Sequence, residues 1–166
     1  MYNLTLVCLT VCGLILSSVF PRALIFAWAT PDFLLLIVIF NAMFRGRAHG
    51  GVTGFLVGLA EDFRVGRFIG LNVMAKCVVG VLCGSLSKSI FKENAWVPVI
   101  NVFIGSVINF FIVFVSGFMV GLRWNLLNTL RQGAFEILLN VCLVPFLYSP
   151  FFKFASKYIN FDDEIS

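Results

Sequence analysis

With 166 residues, 60% of them hydrophobic, only 12% charged and 20 of them Phe, the chain is too apolar for a water-soluble fold, since ordinary soluble domains run about 45–50% apolar and about 25% charged. Lipid must be the solvent for much of it. Spans of about 20 residues would fill the chain with about six crossings, which excludes a separate soluble catalytic domain. The net charge of +4 is scattered between apolar runs, so no basic patch for nucleic acid forms.

The first apolar run covers about residues 4–20. No basic segment precedes it and no small-residue cleavage site follows, so it reads as a retained helix rather than a signal peptide. Pro21-Arg22 ends it, residues 23–30 are apolar again, and Thr30-Pro31-Asp32 follows. Thr suits an N-cap, Pro the first helical position, and a carboxylate the positive helix end. A second helix is therefore expected over 31–44, and its 14 residues reach only about 21 Å at about 1.5 Å each. That is too short to cross, so residues 21–30 are expected to form a bent or re-entrant lead-in. Such backbone is tolerated in a membrane only where protein or a cavity covers it.

Arg45-Gly46-Arg47 reads as a tight turn. Further helices are expected over 48–62, 69–87, 96–122 and 130–152, the last with a kink at Pro145, before an acidic tail over about 158–166. The expected fold is an all-α polytopic bundle of about six transmembrane helices, a single integral membrane domain over 1–166. With the N-terminus inside, Arg45, Arg47, Lys88, Lys92, Lys153 and Lys157 lie on the inner side, and Arg22, Arg64, Arg67, Arg123 and Arg131 on the outer. Three of the outer arginines sit close to acidic residues, so the inner excess places both termini in the cytoplasm.

Small residues recur every four positions at Gly46, Gly50, Gly54 and Gly58, and again at Gly66 and Gly70, Gly80 and Gly84, and Gly117 and Gly121. Such spacing lets helix backbones approach closely. Packing within this chain is the plainer expectation, docking of a partner's helix the alternative. Cys8, Cys12, Cys77, Cys83 and Cys142 all sit inside apolar runs without a CxxC pair, and are read as packing residues rather than disulfide or metal ligands.

Charges within the apolar runs are costly and face a bundle interior or watery cavity. Asp32 lies 13 residues before Arg45 and Asp62 lies 15 after Arg47, which puts both carboxylates at nearly one height on antiparallel helices. Lys76 and Glu136 descend from the outer side to matching depths. Gln132, Glu136 and Asn140 share one face of the sixth helix, and Asn101, Gly105 and Asn109 one face of the fifth. Asp32, Asp62, Lys76 and Glu136 are thus expected to cluster in the outer half of the bundle, with Lys76 meeting Glu136. The cluster could be a set of internal ion pairs, a polar cavity for a ligand or partner, or a proton relay. No catalytic or metal constellation is legible: His49 is the only histidine, and neither GxSxG nor HExxH is present. No cofactor is expected.

Pro31-Asp32-Phe33-Leu34-Leu35-Leu36 resembles the Pro-Asp-Leu segment opening the second helix of the rod shape-determining protein MreD family. Gly54-Phe55-Leu56-Val57-Gly58-Leu59-Ala60-Glu61-Asp62 is similar to that family's glycine-rich third helix with its terminal Asp, and Gly66-Arg67-Phe68-Ile69-Gly70 resembles its following turn. Glu61, Arg64 and Arg67 make the outer loop more charged than the family pattern. The resemblance implies a non-catalytic protein of the bacterial inner membrane that binds MreC, a single-span periplasmic protein. It also implies work alongside MreB, a SEDS glycosyltransferase and a penicillin-binding transpeptidase in cell elongation. The fold it implies is similar to the substrate-binding components of energy-coupling factor vitamin transporters, so a substrate-capture subunit of a vitamin importer is the competing reading.

Overall fold

The structure is a computed structural model that describes residues 10–15, 30–66, 69–89, 96–121 and 125–158. Every regular element among them is a helix. Residues 10–15 belong to α1, and α2 (Phe33–Val65), α3 (Leu71–Ser89), α4 (Trp96–Met119) and α5 (Leu126–Tyr158) follow. Most of the expected first helix, the lead-in at 21–29 and the tail at 159–166 lie outside the described residues.

The start of α2 differs from the expected one. Asp32, not Thr30, is the N-cap, and its Oδ1 accepts the Leu35 backbone N–H at 2.9 Å. A carboxylate that can reach the third helical amide outcompetes a threonine two residues earlier, so Pro31 stays outside the helix. The arm after it, from Leu34 to Ala42, is buried at every position but Ile37. A helix that is apolar all round belongs at the centre of a bundle. Around it Leu35, Leu36, Ile39 and Phe40 pack with Val79 and Cys83 of α3, Val102 of α4, and Val144 and Phe151 of α5.

At Gly46 the helix folds back. The residue has φ 78° and ψ −177°, a region that is open essentially to glycine alone. Two observations fix the reversal: the Asn41 side chain donates to Thr53 Oγ1, and a Cβ built on Gly50 would lie 2.5 Å from that of Ala42. The expected Arg45-Gly46-Arg47 turn thus joins two arms, 33–45 and 47–65. Gly46→Ala should cost about 1–3 kcal/mol, read as a lower unfolding midpoint in detergent. An unchanged midpoint would mean that the turn relaxes without strain.

The second arm lies antiparallel against α3 along a seam of glycines. A Cβ on Gly54 would strike the Lys76 carbonyl oxygen, and one on Gly80 the carbonyl oxygen of Gly50. On Gly58 it would stand 2.6 Å from Val73 Cα, and on Gly84 2.6 Å from Arg47 Cα. Gly50, Gly54, Gly58, Gly80 and Gly84 therefore bring two backbones of the same chain together. Gly66, Gly70 and Gly121 stand elsewhere. Their φ values are 68°, 117° and 79°, and nothing among the described residues lies within 4 Å of a Cβ placed there. They serve turns that need positive φ, and the four-residue spacing that suggested packing at these positions is coincidental.

Beyond the seam, α3 packs on α4 and α4 on α5. The last helix begins earlier and ends later than expected, and it passes through Pro145 as one element. Phe111, Phe118, Leu127 and Phe146 stand exposed on the outer faces, as side chains bathed in lipid do. By length and composition, among the described residues Phe33–Val65, Trp96–Met119 and Leu126–Ser149 are long and apolar enough to cross a membrane, the first of them divided at Gly46, and Leu71–Leu86 is a shorter apolar helix.

Candidate functional site, a charged cluster between the helices

Lys76 is the centre of the site. It sits on α3 one turn from the seam contact with Gly58, and its side chain is fully buried. Its Nζ donates to Asp32 Oδ2 at 2.7 Å and lies 2.6 Å from Glu61 Oε2. The first contact is a hydrogen bond as well as an ion pair. The second is an ion pair of comparable length. Asp32 opens the first arm of α2 and Glu61 closes the second, so one ammonium ties both ends of the hairpin to α3.

The partner on the second arm is therefore Glu61 and not Asp62. Asp62 is also buried, but it turns to the start of α3. There its carboxylate accepts from the backbone N–H groups of Gly70 at 2.7 Å, Asn72 at 3.2 Å and Val73 at 3.2 Å, and from Asn72 Nδ2 at 2.9 Å. A carboxylate that gathers several helix-start amides satisfies groups that would otherwise be orphaned and matches the positive helix end. Both carboxylates were within reach of a sequence argument. Glu61 is three and Asp62 four residues beyond Gly58, so both lie on the seam side of the helix.

From the other side α4 and α5 close the cluster. The Asp32 backbone N–H donates to Asn140 Oδ1 at 2.9 Å, and Asn140 Nδ2 donates to Ser106 Oγ at 3.2 Å. Asn140 thus holds the head of α2 to both late helices. Glu136, one turn before Asn140, is half-buried and lies within electrostatic reach of Asp32, Lys76 and Glu61. It makes no ion pair with Lys76 among the described residues, contrary to the expected meeting: Asp32 and Glu61 already hold that ammonium. Of the expected polar faces, Asn101, Gly105 and Asn109 are buried on α4 with Ser106 beside them, whereas Gln132 is exposed. Arg64 lies at the rim, 3.7 Å from Glu61 Oε1.

Among the described residues no group of three His, Cys, Asp or Glu is placed to hold a metal ion. What the arrangement does is join four elements through charge and amide contacts at one depth. Fold and site together define a helical membrane protein whose polar residues bind helix to helix. The family model of the rod shape-determining protein MreD matches residues 1–158, nearly the whole chain, and the chain belongs to that family. Its membership connects it with the determination of rod shape. No significant match is found among curated proteins or among solved structures.

Proposed function

We propose that the protein is a non-catalytic scaffold of the bacterial inner membrane that binds an MreC-like single-span periplasmic protein. Through that partner it works with MreB, a SEDS glycosyltransferase and a penicillin-binding transpeptidase to organise peptidoglycan synthesis along the side wall. The observation that carries this reading is the family match over residues 1–158. The site agrees with it: Asp32, Lys76, Asp62 and Asn140 spend their polar atoms on fixing helices, as a rigid docking body requires. In this reading the chain crosses six times, with the two arms of α2 as separate crossings and both termini in the cytoplasm.

Co-purification of the tagged chain from its native membranes after mild crosslinking tests the partner. An MreC-like protein should be enriched, and depletion of the chain should turn rods into spheres. Recovery of a nucleotide-hydrolysing pair without any MreC-like protein would instead favour the vitamin-importer reading, with its fold similar to energy-coupling factor components. Orientation is tested separately through Asn3→Cys and Ser166→Cys. Both thiols should react only from the cytoplasmic side, and ends on opposite faces would defeat the six-span count.

A further inference from the structure

Among the described residues the cluster is not balanced in charge. Asp32, Glu61 and Glu136 supply three carboxylates, and Lys76 is the one ammonium among them. Lys76 is already committed to Asp32 and Glu61. Arg64 pairs with Glu61, from the rim. Arg131, on the same helix as Glu136, is exposed and lies over the Phe135 ring at 5.9 Å. Glu136 is left with no hydrogen bond or ion pair among the described residues.

A second, independent feature points to the same place. Asn109 is 6% exposed, and its Oδ1 has no hydrogen-bond donor among the described residues. An amide oxygen in that state keeps the cost of its lost hydration unless something donates to it. Register places it at the level of Glu136. The helices α4 and α5 run antiparallel, with Ser106 against Asn140 and Phe110 against Gly133. Asn109 lies between the first members of those pairs and Glu136 between the second. Asn109 is also three residues from Ser106 and four from Gly105, which faces α2 and α3, and Glu136 is four from Asn140, so both lie on the inward side of their helices.

Both orphaned groups are acceptors, and the surplus charge is negative. We propose that Glu136 and Asn109 Oδ1 together receive a cationic nitrogen donor, a guanidinium or a primary ammonium, at the edge of the Asp32–Glu61–Lys76 cluster. Such a group brings several N–H donors and a positive charge at once. A metal ion fits worse, because among the described residues no three His, Cys, Asp or Glu side chains are placed to hold one. The donor has two possible sources with one chemistry, a basic side chain of the membrane partner or a free amine. The first source rests on the partner-binding reading above, and the second does not.

The test is a thermal unfolding titration of the full chain in detergent with ethylammonium chloride, against sodium chloride at equal ionic strength. At about five times its dissociation constant the amine should raise the midpoint by about 2–4 °C, and the rise should saturate. Glu136→Gln and Asn109→Ala should each reduce it severalfold. If one variant fails to fold, the other still reads the site. Absence of a saturable rise, an equal rise with sodium, or an undiminished rise in both variants would overturn the proposal. Repeating the titration on the complex with the co-purified partner separates the sources. A lost response assigns the site to the partner's side chain, and a retained one to a free amine. Because the first titration uses the isolated chain, it can fail while partner binding stands, or hold while partner binding falls.

Discussion

Lys76→Met should lower stability by about 3–5 kcal/mol, the cost of leaving buried charge without its partner. The lysine is fully buried, and its loss strands two carboxylates rather than one. Water softens the penalty somewhat, since the Asp32 and Glu61 side chains are 13% and 14% exposed, which points to the lower end of that range. The informative measurement is a cycle. Lys76→Met, Glu61→Gln and the double variant are each unfolded in detergent, and their midpoints compared. Glu61→Gln alone should cost less, because Lys76 keeps Asp32. The double variant should fall well short of the summed losses, since removing one stranded carboxylate relieves part of the penalty. Simple additivity would show that Lys76 and Glu61 are not coupled, and the ion-pair account of the cluster would fail. A second cycle with Glu136→Gln reports on the pairing that sequence depth suggested. Little coupling to Lys76 is expected there, as the two make no direct ion pair.

That contrast marks how far the sequence could be read. Depth along a helix is legible from residue counts, and it brought Asp32, Lys76 and Glu136 to one region of the bundle. Azimuth is not legible to the same degree. Successive residues differ by about 100° around a helix, so Glu61 and Asp62 share a depth yet serve different partners, one the α3 lysine and the other the α3 amides. Which carboxylate turns which way depends on the phase of the second arm against α3, and glycine contacts set that phase. The Gly46 reversal was legible because a glycine between arginines separates two apolar runs. The N-cap was misplaced by two residues because Thr30 and Asp32 are both good caps, and only the reach of a side chain to Leu35 separates them. At Gly66 and Gly70 spacing alone misled, since a turn and a packing seam can use glycine at the same interval for different reasons.

Gly54→Leu should be among the most damaging single changes in the seam. A Cβ at Gly54 would overlap the Lys76 carbonyl oxygen, stand 2.6 Å from the Lys76 carbonyl carbon, and lie 2.9 Å from Cys77 Cα. All three are backbone atoms, which cannot rotate away. Even Gly54→Ala must push α3 from the second arm of α2, at about 1–3 kcal/mol as overpacking usually costs. Leucine adds three more carbons to the same gap and should prevent the two helices from docking at all. The damage reaches the charged site, because the displaced residue is Lys76 itself, and its ammonium would be drawn from Asp32 and Glu61 together. Gly51→Ala is the matched control. Its Cβ would meet Val81 Cγ2 at 2.8 Å, the end of a side chain on the flank of the seam, and a small rotation relieves it. Unfolding midpoints in detergent should therefore rank wild type, then Gly51→Ala, then Gly54→Ala, with Gly54→Leu failing to give a folded, monodisperse protein. Recovery of any partner complex should fall in the same order. If Gly54→Leu instead melted like the wild type, the second arm and α3 could not meet backbone to backbone. Lys76 would then need another route to the two ends of the hairpin.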